Sequence, residues 1–63
     1  MPNIMNYIPK RAHPGIYKAW HDSDGYWVML REGWHVEDYF AEHTIHEDTL
    51  AEIKAVAKNI VKD

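Results

Sequence analysis

The chain has 63 residues, of which 46% are hydrophobic and 27% are charged, with a net charge of −3 and no cysteine. A chain of this length holds one small domain, which excludes a two-domain enzyme. The lack of cysteine excludes disulfide bonds and thiolate zinc sites, two common ways of stabilising short chains. We therefore expect a lean apolar core and a second surface on which the domain packs.

The first part of the chain is rich in proline, with Pro2, Pro9 and Pro14. Because the segment follows neither a strand nor a helix period, we predict an irregular N-terminal arm over residues 1–14 and a single domain over 15–63. Nothing in the sequence resembles a signal peptide or a membrane-spanning segment. We expect a cytoplasmic protein without membrane contacts, or one in the host cytoplasm if the chain is phage-encoded.

Residues 15–32 have the pattern of a β-hairpin. Two stretches rich in Ile, Tyr, Trp and Val flank the turn residues DSDG, and Gly25 can adopt the positive φ that such a turn needs. Alternation predicts one face with Ile16, Trp20, Val28 and Leu30, and another with Tyr17, Ala19, Trp27 and Met29.

The rest of the chain predicts a short strand near residues 43–46 and a C-terminal helix over about 49–62. Thr49 and Glu52 match a capping box, and apolar residues then recur at helical spacing. The predicted fold class is α+β, with a small antiparallel sheet of two or three strands packed against this one helix. The apolar stripe of the helix comprises Leu50, Ile53, Ala57, Ile60 and Val61.

One short helix can cover only one face of a sheet, so an apolar face is left over. Either the N-terminal arm closes over it, or it forms an interface rich in aromatic anchors. Residues 22–48 carry eight acidic residues against one arginine, which favours a basic partner. The predicted interface comprises the anchors Tyr17, Trp27, Met29, Trp34, Tyr39 and Phe40 and the acidic residues Glu37, Asp38 and Glu42.

No catalytic or phosphate-binding motif occurs in the sequence, so we predict no enzyme activity and no cofactor. Two alternatives remain open. A nucleic-acid module would use Lys10, Arg11, Lys54, Lys58 and Lys62 for phosphates and the aromatic rings for bases. A metal site would draw on His35, Asp38, His43 and His46, although their spacing matches no zinc signature.

Two segments carry a family resemblance. DGYWV (Asp24 to Val28) and HEDTLAEIKAVAKNIV (His46 to Val61) together resemble the core of HicB-type antitoxins over about half of the chain. The resemblance implies a β-β-β-α module that binds and neutralises a small toxin, often as a dimer.

These observations predict a small non-enzymatic binding protein, homodimeric through its sheet or the sheet edge. It would act by occluding a larger protein that is basic or binds nucleic acid. Antitoxins and phage-type inhibitors of host defence both fit this description. Binding of nucleic acid by the chain itself is the less favoured prediction.

Overall fold

The computed structural model describes residues 3–39 and 43–63. Strands β1, β2 and β4 form an antiparallel sheet in the order β1-β2-β4, and β3 pairs with β5 in a second sheet. The predicted α+β class and the hairpin are therefore confirmed. In chain order the elements are two 3-10 helices (Ile4–Tyr7 and Lys10–Gly15), β1 (Ile16–Asp22), β2 (Gly25–Leu30), β3 (Trp34–Val36), β4 (Thr44–Glu47), α1 (Leu50–Ala57) and β5 (Ile60–Lys62).

The hairpin turn fixes the register of β1 and β2. Asp22 pairs with Gly25, which leaves a loop of two residues, and Gly25 has a φ of 129°. A side chain at Gly25 would be strained by this φ and would also meet the carbonyl oxygen of Glu47. From this turn the pairing runs back to Trp20 opposite Trp27 and Ala19 opposite Val28.

A register shift between Ile16 and Lys18 changes the predicted faces of the hairpin. Because the extra residue reverses the alternation beyond it, Ile16 and Ala19 both belong to the core side. Trp20 moves to the opposite face, beside Trp27. The predicted faces are therefore wrong for Ala19 and Trp20.

The C-terminal helix begins as predicted and ends early. Thr49 is its N-cap, accepting a hydrogen bond from the amide of Glu52 at 3.2 Å and donating its hydroxyl to the Glu52 carboxylate at 2.8 Å. The helix stops at Ala57, and Ile60 starts β5. Ile60 and Val61 fit a helical period, but pairing with β3 takes them out of the helix, as tertiary contacts often override local propensity.

In the described part of the N-terminal arm, residues 3–14, the chain forms two 3-10 helices, the second ending at Gly15, rather than irregular structure. The Asn3 side chain caps the first by accepting from the Met5 amide at 2.9 Å. His13 joins the two helices, since its Nε2 lies 3.0 Å from the Met5 carbonyl oxygen and 2.9 Å from that of Ile8. The arm packs on the same side of the sheet as α1.

The core lies between the sheet, α1 and the arm. Val28, Ile45, Ile53 and Ile60 are its largest fully buried side chains, and none of the described residues buries a charged or polar side chain. The other buried apolar residues are Ile4, Ile8, Ala12, Ile16, Leu30, Val36 and Ala57.

Gly15 allows the arm to pass close to the second sheet. A Cβ atom at this position would overlap the indole ring of Trp34 on β3. Trp34 itself packs against the core. Glycine is therefore required at position 15 for packing.

We expect Gly15→Ala to lower the free energy of unfolding by about 1–3 kcal/mol, because the ring must move to admit a methyl group. Urea denaturation measures the loss. In a Trp34→Val background, which removes the ring, the same substitution should cost little. A Gly15→Ala protein as stable as the wild type would contradict this account.

Candidate functional site

One face of the three-stranded sheet carries a row of rings contributed by all three strands. Trp20 on β1 pairs with Trp27 on β2, and Trp27 pairs with His46 on β4. Lys18 and Met29, which pair with each other, lie on the same face. We call the surface formed by Lys18, Trp20, Trp27, Met29 and His46 the tryptophan face.

The rings of the tryptophan face stack on one another. Trp20 and Trp27 are nearly parallel, with centroids 5.7 Å apart and 2° between their planes. The His46 ring is tilted by 39° against Trp27 at 4.3 Å, and Lys18 Nζ lies 5.0 Å from the Trp20 ring centroid. The rings therefore shield each other and are half-buried.

Asp22 fixes the orientation of the central ring. Its Oδ1 accepts a hydrogen bond from the indole Nε1 of Trp27 at 3.0 Å and another from the amide of Asp24 at 2.9 Å. The bond from Trp27 contributes most to lowering the pKa of the Asp22 carboxyl below 3.8, its ordinary value. His46 is held by a 2.7 Å contact between its Nε2 and the Asp24 carbonyl oxygen.

The tryptophan face is separate from the hydrophobic core. Trp20, Trp27 and Met29 belong neither to the core nor to the half-buried side chains that pack against it. The residues that do pack there come from the other side of the sheet, the arm, α1 and β3. The described part of the chain therefore uses only one side of this sheet to build its core.

The structure separates the predicted anchors. Trp27 and Met29 lie on the tryptophan face, and Tyr17 is 63% exposed beside Arg31, whose guanidinium carbon is 5.5 Å from the ring centroid. Trp34 and Tyr39 pack against the core instead. Phe40 and Glu42 lie outside the described residues.

Tyr39, which directly follows the predicted interface residues Glu37 and Asp38, is bonded to β4. Its hydroxyl donates to the Glu47 carboxylate at 2.9 Å and lies 3.3 Å from the His46 carbonyl oxygen. Burial, and then the hydrogen bond to Glu47, raise the pKa of Tyr39 above 10.0. Glu37 and Asp38, which precede it, are exposed, and Asp38 has a φ of 64°.

Three residues of the tryptophan face were absent from the predicted interface: Lys18, Trp20 and His46. Counting back from the turn would have found two of them. If Asp22 and Gly25 close a two-residue loop, Trp20 lies opposite Trp27, and Lys18 follows on the same face. Alternation counted forward from Gly15 assigns Trp20 to the wrong face, because the register shift between Ile16 and Lys18 adds one residue to β1.

Two of the five residues of the nucleic-acid alternative, Arg11 and Lys54, have partners within the chain. The Arg11 guanidinium donates to the carbonyl oxygens of Ile60, at 2.8 Å, and Lys58, which ties the arm to the end of α1. Lys54 Nζ lies 5.7 Å from the Tyr7 ring centroid. Lys10, Lys58 and Lys62 are exposed.

The histidines of the metal alternative lie in different surroundings. His46 stacks on Trp27, and His35 Nδ1 lies 2.6 Å from Asp63 Oδ1. Across residues 3–39 and 43–63, no three His, Asp or Glu side chains are grouped so that they could hold a metal ion.

No protein-family model, curated protein or solved structure matches the chain. In the segments that the structure describes, no helix has both the length and the apolar character needed to cross a membrane.

The Asp22 contact predicts how the tryptophan face responds to acid. Because the folded pKa of Asp22 lies below 3.8, its stabilising effect is complete above the unfolded pKa and is lost as the pH falls through the folded value. The indole ¹⁵N–¹H signal of Trp27 should therefore shift with a midpoint below 3.8. The Trp34 signal is the control and should not follow this titration, and Asp22→Asn should abolish it. A midpoint above 3.8 for Trp27 would contradict the assignment.

Proposed function

We propose that this chain is a small non-enzymatic binding protein that covers, and so blocks, a surface of a partner protein with its tryptophan face. One observation carries the proposal. Trp20, Trp27 and Met29 lie together on a sheet face that the described core leaves unused. Large aromatic side chains held in place in this way are typical of the residues that dominate binding energy at protein interfaces.

The stacking favours a protein partner over a nucleic acid. A base binds by stacking on an aromatic ring whose flat face is free. Trp27 lies between Trp20 and His46 in strand order, stacks on Trp20 and meets His46 at a tilt, and Lys18 lies against Trp20. The ring faces engaged in these contacts are not free for a base, which favours packing by a protein partner over base stacking.

The charges around the face indicate the chemistry of the partner. Asp22 and Asp24 are exposed at the turn end of the tryptophan face, whereas Lys18 lies towards the other end. Basic groups of a partner protein would complement the turn end, with the charges acting mainly on association rate and specificity. The resemblance to HicB-type antitoxins implies that the chain binds and neutralises a small toxin, which is also a role that covers a partner protein.

Trp27→Ala tests the proposal. We expect the variant to bind the partner more weakly by ~2 kcal/mol or more, about thirtyfold in Kd, because the central anchor is lost. The immobilised protein is incubated with lysate of its source cells at low and high salt, captured proteins are identified by mass spectrometry, and the affinity is then measured with the purified partner.

Tyr7→Ala is the matched control, since it removes an aromatic ring from the arm, beside Lys54 of α1. The control should retain wild-type affinity, and circular dichroism should show both variants folded. Equal binding by Trp27→Ala and the wild type would overturn the proposal. Retention on single-stranded DNA that weakens steeply with salt and persists in Trp27→Ala would favour the nucleic-acid alternative instead.

A further inference from the structure

The tryptophan face has a positive end and a negative end. Lys18, Trp20 and Asp22 alternate along β1, so their side chains share one face. Lys18 lies towards the start of the strand, and Asp22 lies at the turn beside Asp24.

We infer that in the isolated protein a second copy of this chain covers the tryptophan face, with its strands reversed, about a two-fold axis that runs across the strands. The inference rests on the proposed function in one respect, namely that the tryptophan face binds protein. It adds the identity of one occupant and the symmetry of the contact.

The charges at the two ends of the face favour a two-fold axis across the strands over one parallel to them. Two identical sheets can pack face to face about a two-fold axis in the interface plane. An axis parallel to the strands would bring the Lys18 ends of the two copies together and their Asp22 ends together, and like charges repel. An axis across the strands places the Lys18 end of each copy over the Asp22 end of the other. The aromatic rows meet in the middle in both cases, so the charges decide between them.

The size of the face indicates how tight the pairing is. Three strands about 4.8 Å apart, each contributing roughly five residues at about 3.4 Å, make a footprint of roughly 15 by 17 Å. A footprint of this size is well below the ~800 Å² per partner that stable complexes bury. The pair is therefore weak and exchangeable, and a partner protein that binds the same face more tightly displaces the second copy.

Charge reversal tests the arrangement in solution. Sedimentation velocity over about 1 µM to 1 mM should show a monomer–dimer equilibrium for the wild type. Lys18→Glu and Asp24→Lys should each raise the dimer Kd by about tenfold or more, because each substitution puts like charges together at both symmetric contacts. Asp24 is exposed at the same end of the face as Asp22 and leaves intact the hydrogen bond by which Asp22 holds Trp27.

Mixing the two variants is the decisive step. In a mixed pair, Glu from the first variant meets Lys from the second at one end, and Asp22 and Asp24 of the first variant meet Lys18 of the second at the other. The mixture should therefore form a heterodimer with a Kd within about threefold of the wild-type value. If Asp24→Lys does not fold, Ser23→Lys in the same turn takes its place.

A wild-type monomer at 1 mM, or a mixture that stays monomeric, would overturn the inference. Dimerisation that neither charge reversal weakens would also overturn it, because the contact would then lie elsewhere. The proposed function and this inference are contradicted by different results. A monomeric wild type that still shows Trp27-dependent binding to its partner protein would overturn only the inference. A dimer that behaves as expected, with no Trp27-dependent partner, would overturn only the proposed function.

Discussion

A sheet of three strands has two faces, and this chain builds its core on one of them. The only α-helix in the described segments has eight residues, Leu50–Ala57, too few to cover more than one face of the sheet. The arm adds Ile4, Ile8 and Ala12 to the same core. On the opposite face the side chains shield one another from water in part, since Trp20 stacks on Trp27 and the His46 ring lies tilted against Trp27. The candidate function depends on this unequal use of the two faces.

Asp22 connects the turn, the orientation of the rings and the charge pattern. Its carboxylate accepts from the amide of Asp24 and from the indole of Trp27, so the same group that shapes the loop also holds the central ring. Its pairing with Gly25 sets the register that brings Trp20 opposite Trp27. A slip of one residue would exchange the two faces of β1 and turn Trp20 to the core side, away from Trp27. The tight turn therefore specifies the surface as well as the hairpin.

The sequence allowed the hairpin, the start of the helix and the α+β class to be predicted, because these depend on local signals such as the Gly25 turn and the Thr49 cap. It did not reveal the bulge near Tyr17, which has no residue signature here and which moves Trp20 to the other face. The end of α1 was missed because Ile60 fits the apolar spacing of a helix and also suits a strand. Only its pairing with β3 places it in a strand. The two 3-10 helices of the arm were missed because they are short and separate, so no single helical period runs through the segment, and Ile4, Ile8 and Ala12 reach the core through tertiary contacts.

A stacked row of rings has consequences for binding that an ordinary apolar patch would not have. Because Trp20, Trp27 and His46 already hold one another, and Asp22 holds Trp27, little side-chain entropy is lost when the face is covered. The same stacking limits how much apolar surface is exposed while the face is free, and charged groups at both ends keep it hydrated. A preorganised but small surface favours rapid exchange over permanent association. A second copy and a partner protein would compete for the same rings, so occupancy depends on their relative concentrations as well as on their affinities.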